Sequence, residues 1–134
     1  ICKKYNYLVG TKQDGTSIQI ANYYSISNNT LIGQKIRTAD KKFSVAGTVK
    51  GAGLFGQQCF GAGSGKKVII TEGELDALSV ATAYDGKWPA VSIISGASSA
   101  YKNIKDNLEW VLSFPTVVLW FDDDDAGNKA VEEV

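Results

Sequence analysis

The residues best suited to chemistry are acidic, and they stand at the ends of apolar runs. Glu72 directly follows residues 68–71, and Asp122 directly follows residues 116–121. If both runs are strands of one parallel sheet, the two acids meet at the same carboxyl edge, where such sheets bind ligands. Asp122 and Asp124 are two apart, so in an extended segment they face the same way. Asp123 then faces elsewhere, and Asp125 is placed to cap a helix starting at Ala126. Glu72 and Asp76 are four apart across a helix start and share a side. Glu72, Asp76, Asp122 and Asp124 are therefore expected to form one carboxylate cluster. Carboxylates that close repel one another, and a cation offsets the repulsion. Oxygen-only ligation favours Mg²⁺ or Mn²⁺, which points to phosphoryl-transfer chemistry.

The elements that must position these acids lie in the second half. Lys67–Thr71 reads as a buried strand, 74–84 as a helix, 90–94 as another apolar run and 98–112 as a helix. Residues 116–121 (TVVLWF) read as a third buried strand, and a further helix begins at Ala126. Alternating strands and helices with near-continuous apolar strands predict a parallel sheet covered on both faces. The first half is β-rich instead. Residues 5–9, Ser17–Tyr24, 31–37 and 43–45 predict a small antiparallel sheet. Lys35, Arg37, Lys41 and Lys42 are expected on its exposed edge. Residues 47–65 are Gly-rich, and Leu54-Phe55 are expected to anchor this stretch on the core.

Charge divides along the same line. Among residues 1–67, ten Lys/Arg face two acids; among residues 68–134, four Lys face twelve acids. A basic half suits an anion such as nucleic acid, and an acidic half suits a divalent metal. The chain has 134 residues, no His and two Cys, so a Cys/His zinc site cannot be assembled from it alone. No apolar run approaches the ~20 residues of a membrane helix. Met is absent even at position 1, so the chain reads as an excised piece with reduced thiols. Two motifs are decoys. Gly51–Gly56 matches G-x-G-x-x-G, but residues 48–50 make a poor strand before it and the helix signal after it is weak. Gly63-Ser64-Gly65-Lys66 has the wrong P-loop spacing and precedes a strand.

Thr71-Glu72-Gly73-Glu74-Leu75-Asp76-Ala77-Leu78, followed by Leu119-Trp120-Phe121-Asp122-Asp123-Asp124-Asp125-Ala126-Gly127, resembles the two signature motifs of the TOPRIM (topoisomerase–primase) fold. Ser95-Gly96-Ala97-Ser98, Gln34-Lys35-Ile36-Arg37, Asp40-Lys41-Lys42-Phe43 and Leu54-Phe55-Gly56 extend the resemblance to the bifunctional primase–helicases of tailed bacteriophages. The mitochondrial helicase Twinkle is a more distant member of that lineage. The resemblance implies an α/β TOPRIM-like parallel sheet flanked by helices over 67–134, truncated at its C-terminus. A small basic β-rich subdomain over 1–66 precedes it. It also implies DNA-templated RNA primer synthesis by metal-dependent nucleotidyl transfer, with Mg²⁺ (or Mn²⁺) and no zinc in this piece. Glu72 is then metal ligand or general base, Asp122 and Asp124 hold the metals, and Asp76 supports them. Lys35 and Lys41 contact nucleotide or template, and Arg37 and Lys42 join them by proximity. The implied partners are a single-stranded DNA template and ribonucleoside triphosphates. In the full protein a zinc-binding module and a hexameric helicase motor join them, all in the bacterial cytoplasm. Two departures stand out: the family's further acid lies past residue 134, and Ser95 stands where some relatives carry His.

Other readings remain open on the residues. A TOPRIM nuclease or topoisomerase would use the same carboxylates, but the basic first half argues against both. A non-catalytic nucleic-acid-binding module would bind DNA without metal. A receiver-type domain also gathers acids at strand ends, and the T-E-G-E motif argues against it.

Overall fold

The computed structural model of the chain describes residues 2–39, 42–94 and 97–133. A single helical turn, α1 (Cys2–Tyr5), leads into an antiparallel sheet of β1 (Tyr7–Thr11), β2 (Ser17–Tyr24), β3 (Leu31–Thr38) and β4 (Phe43–Gly47). These four strands pair in sequence order, as short turns demand. The register sets Ala21 opposite Tyr7 and Lys35, and Arg37 opposite Gln19 and Phe43. Lys35 and Arg37 therefore lie on an inner strand, on the same face as buried Ala21 and Tyr23. The expected edge position is wrong for both, because β4 continues past them and takes the edge. Of the other two basic residues, Lys42 precedes β4 directly, whereas Lys41 lies outside the described residues, as does Ser95.

The second sheet is parallel and has the order β6 (Ala90–Ser92), β5 (Lys67–Thr71), β7 (Thr116–Trp120). Its central strand alternates between two cores. Ile69 packs with Ala77, Leu78, Val80 and Ala81 of α2 (Glu74–Ala83). Val68 and Ile70 pack the other way, with Ala100 and Ile104 of α3 (Ala100–Asp106), Val111 of α4 (Leu108–Leu112) and Ala130 of α5 (Asp125–Glu133). A strand covered on both faces has no polar side, which is why its sequence runs apolar without a break.

The expected single helix over 98–112 is a 3-10 turn followed by α3 and α4. Asn107 makes the break: its side-chain amide donates to the Asn103 carbonyl at 2.9 Å, competing with the helical ladder. Leu54 and Phe55 do anchor the Gly-rich stretch. Phe55 exchanges backbone hydrogen bonds with Ser92 of β6 at 3.0 and 3.2 Å, and both side chains are buried. Only a 3-10 turn follows Gly51–Gly56, so that segment lacks the helix a dinucleotide site needs.

Candidate active site

β5 and β7 run side by side in parallel, with Thr71 opposite Trp120. Glu72 and Asp122 therefore leave the sheet at one edge. The Asp122 amide donates to Glu72 Oε1 at 3.3 Å, which joins the two strand ends directly. Burial first, then a hydrogen bond with Asp122 and repulsion from the Asp122 and Asp124 carboxylates, hold Glu72 above the usual glutamate value.

The chain does not continue extended through Asp124. The Asp124 amide donates back to the Asp122 carbonyl at 2.9 Å, a tight turn that swings the backbone from β7 into α5. Asp124 Oδ1 then accepts the Gly127 amide at 2.6 Å, so Asp124 takes the N-cap position expected for Asp125. One Asp124 oxygen is committed to the helix, and the other is left for a ligand. Asp123 Oδ1 accepts from the Asn128 side chain at 3.3 Å.

Gly127 carries a constraint that the acids do not reveal. A Cβ there would run into the Asp122 carbonyl oxygen and lie 3.0 Å from Glu72 Oε1. Only glycine lets α5 approach both strand ends. Sequence reasoning gave Gly127 no role; its place three residues after a D-x-D was the available signal.

Asp76 stands in the first turn of α2, exposed, with Oδ2 3.3 Å from where a Gly73 Cβ would sit. It lines a cleft of about 230 Å³ with Tyr7, Lys35, Arg37 and Phe43. Glu72 lines an adjoining cleft of about 460 Å³ with Lys35, Phe43, Val45 and Ile94. Among the described residues, no three or more Asp, Glu, Cys or His stand close enough together to hold a metal. The structure thus brings Glu72 and Asp122 together with Asp124 nearby, and leaves Asp76 in the neighbouring cleft.

Lys35 joins the two clefts. Its ammonium lies 2.9 Å from Glu74 Oε1 and donates to the Ile94 carbonyl at 2.9 Å. The Tyr23 hydroxyl donates to the same Glu74 oxygen at 2.6 Å. Glu74 thus fixes the lysine at the junction, a role sequence reasoning did not give it. One Lys35 N–H remains for a ligand. The Phe43 ring lies under both cations, 5.1 Å from Lys35 Nζ and 5.8 Å from the Arg37 guanidinium.

Comparison with known proteins decides the lineage. Residues 1–47 match the family model described as bacteriophage T7 DNA helicase/primase, N-terminal a+b fold, and residues 69–134 match the Toprim-like model. The DNA helicase/primase of Enterobacteria phage T3 is 42% identical over 98% of this chain. The chain belongs to the bacteriophage T7-type helicase/primase family. The crystal structure of the primase fragment of the bacteriophage T7 primase-helicase superposes with a TM-score of 0.89 at 41% identity over 98% of this chain. A second structure superposes with a TM-score of 0.88, also at 41% identity over 98% of this chain. It holds T7 lagging-strand DNA polymerase interacting with primase domains of two gp4 subunits bound to an RNA/DNA hybrid and dTTP. The chain spans 23% of the T3 protein, and 54% and 65% of the two T7 chains. Within this family the Toprim-like part is a divalent-metal-binding domain. The residues present fit that role. Their donors are all oxygen, and Mg²⁺ commonly takes only one or two carboxylates, completing its shell with water and phosphate.

Proposed function

We propose that this chain is the core of a DNA primase, joining ribonucleotides on a single-stranded DNA template at the Glu72–Asp122 edge. One observation carries the reading: Glu72 at the strand edge and Asp76 of α2 line adjoining clefts whose other wall is the basic sheet face, with Lys35, Phe43 and Glu74 common to both. Glu72 and Asp122 would hold Mg²⁺ with water and substrate phosphate completing its shell, and the uncapped oxygen of Asp124 and Asp76 in the adjoining cleft would support it from a greater distance. Held by these residues, a divalent ion would stabilise phosphate charge and make the attacking hydroxyl more acidic. Lys35 and Arg37 neutralise triphosphate and template charge, with Lys42 beside them at the start of β4. Lys41 is proposed for the same role on the resemblance alone. Arg37, the only arginine, makes the planar two-point phosphate contact that lysine cannot. The RNA/DNA hybrid and dTTP bound in the T7 relative support nucleic acid and nucleotide as this chain's partners. The zinc-binding module and hexameric motor implied by the resemblance are proposed for the full protein.

The test is primer synthesis from ribonucleoside triphosphates on single-stranded DNA, with Mg²⁺ and then with excess EDTA. Glu72→Gln and Asp122→Asn are expected to lose at least about a hundredfold in rate, the order seen when a group stabilising transition-state charge is removed. Synthesis that survives either change, or continues in EDTA, overturns the proposal. DNA cleavage without nucleotides would assign the carboxylates to a nuclease instead.

A further inference from the structure

The amino end of the parallel sheet carries a second cationic feature. Lys67 opens β5, and Trp88 immediately precedes Pro89 and β6. Both ammonium groups flanking this strand pair lie over one indole: Lys67 Nζ is 4.9 Å and Lys87 Nζ 5.0 Å from the centre of the Trp88 ring. Among the described residues, neither lysine nor the adjacent, exposed Lys66 has a carboxylate within ion-pair reach. The nearest acid in sequence, Asp85, sits in a left-handed turn and is exposed. The indole is held on a rigid base. The carbonyl of buried Pro89 accepts the Ile69 amide at 2.9 Å, and Gly65 lies against the Pro89 ring.

We propose that Lys67, Trp88 and Lys87 bind single-stranded nucleic acid, anchoring the strand about 17 Å from Glu72, one five-residue strand away at ~3.3 Å per residue. The choice of nucleic acid rests on the function proposed above. The chemistry of the patch supports it independently. Two like charges at one ring, with no acid to offset them, favour a ligand that brings negative charge. An aromatic face between them favours a ligand with a flat base. A phosphate draws an ammonium off the ring, and the uncovered indole stacks a base. An acidic peptide would satisfy the lysines and leave the ring without a partner. The glycine-rich loop over 61–66, which has the wrong spacing for a P-loop, serves here to deliver Lys66 and Lys67 to this end of the sheet.

The test is anisotropy of dye-labelled oligothymidylate with the whole chain in EDTA, across a salt series. Lys67→Ala/Lys87→Ala is expected to bind about tenfold more weakly, within the range for losing a stacked, charge-supported base. The slope of log affinity against log salt should be shallower by about 1.4, two phosphates at ~0.7 each. Trp88→Ala should weaken binding by a similar factor with the slope nearly intact. Lys67→Arg/Lys87→Arg should restore affinity and slope, which separates lost charge from lost folding. Unchanged affinity and slope in the double alanine variant overturn the proposal. So does displacement of Trp88-quenching ligand by poly-glutamate but not by oligothymidylate, which assigns the patch to an acidic protein. The two readings fail separately. Synthesis that survives Glu72→Gln overturns the catalytic one whatever the lysines do. Binding that ignores both lysines overturns this one whatever Glu72 does.

Discussion

Gly127 and Asp122 show how much of the candidate site is decided by single residues. Gly127→Ala places a methyl group against the Asp122 carbonyl and Glu72 Oε1. Overpacking of this kind costs about 1–3 kcal/mol. The variant should melt earlier and lose Mn²⁺-induced broadening of amide signals around Glu72 and Asp122; a variant that folds and binds Mn²⁺ normally would show that α5 can shift away. Asp122→Asn acts through charge. Glu72 is held above its ordinary value, so the folded chain keeps a proton that the unfolded chain releases. Stability is therefore lost as pH rises from the ordinary glutamate value through the raised one, and stays lost above it. Removing the Asp122 charge lessens that loss. In EDTA, the variant should gain melting temperature over wild type at neutral pH and lose that gain at pH 3, while Mg²⁺ stabilises wild type only. A gain unchanged at pH 3 would mean that repulsion at Glu72 is not its source. Glu72 and Asp122 were legible because strand ends are legible from apolar runs. The capping role of Asp124 was not, because it depends on a turn that starts one residue earlier than the helix pattern suggests.

At the scale of elements, β3 decides what the basic residues can do. The register of an antiparallel strand fixes which side chains share a face, and it sends Lys35 inward to Glu74 and Tyr23. Sequence alone showed a strand rich in cations, but whether it was an edge strand depended on how far residues 43–45, read as a further strand, pair along it, and periodicity does not give the register. The Lys35 and Glu74 side chains are 20% and 12% exposed, so each depends on the other for charge balance. Glu74→Ala leaves an ammonium and a tyrosine hydroxyl without their shared acceptor and should cost on the order of 3 kcal/mol in urea unfolding. Replacing both partners, Lys35→Met with Glu74→Leu, should recover most of that loss, because no buried charge is then left alone. A double variant as unstable as the single one would mean that the cost lies in packing around α2. The parallel strands needed no such context, although β7, expected to be buried, is an edge strand with Thr116 and Trp120 exposed. Each was visible as an apolar run bounded by polar residues, and their shared carboxyl edge followed from topology.

Across the whole molecule, the two sheets meet through aromatic residues whose partnership the sequence did not display. Tyr5, Tyr7 and Tyr23 surround the Phe55 ring, with centroids 5.6, 6.1 and 6.0 Å away. The Tyr5 hydroxyl donates to the Ala90 carbonyl of β6, and burial pushes its phenol above the ordinary tyrosine range. Gly56 adopts a left-handed φ of 88°, and any side chain there would collide with the Tyr5 ring. These residues come from four places in the chain, so no periodicity could have grouped them; only the pairing of Leu54-Phe55 amid glycines hinted at an anchor. Phe55 thus sits at the centre of the core that joins the two sheets, beside the Lys35–Glu74 and Tyr23–Glu74 contacts that also link them. The covered face of the antiparallel sheet is kept from water by this shared core. Phe55→Ala removes the shared ring and should cost about 3–5 kcal/mol. All three tryptophans, Trp88, Trp110 and Trp120, lie in the second half, so their fluorescence follows the parallel sheet while far-UV circular dichroism follows both. In wild type the two signals should melt together, as one cooperative unit. In Phe55→Ala the circular dichroism should begin to fall first, as the antiparallel sheet loses its cover, with tryptophan fluorescence following at higher temperature. Coincident melting in the variant would mean that Tyr5 and its link to β6 suffice to hold the sheets together, and that Phe55 is one packing residue among several.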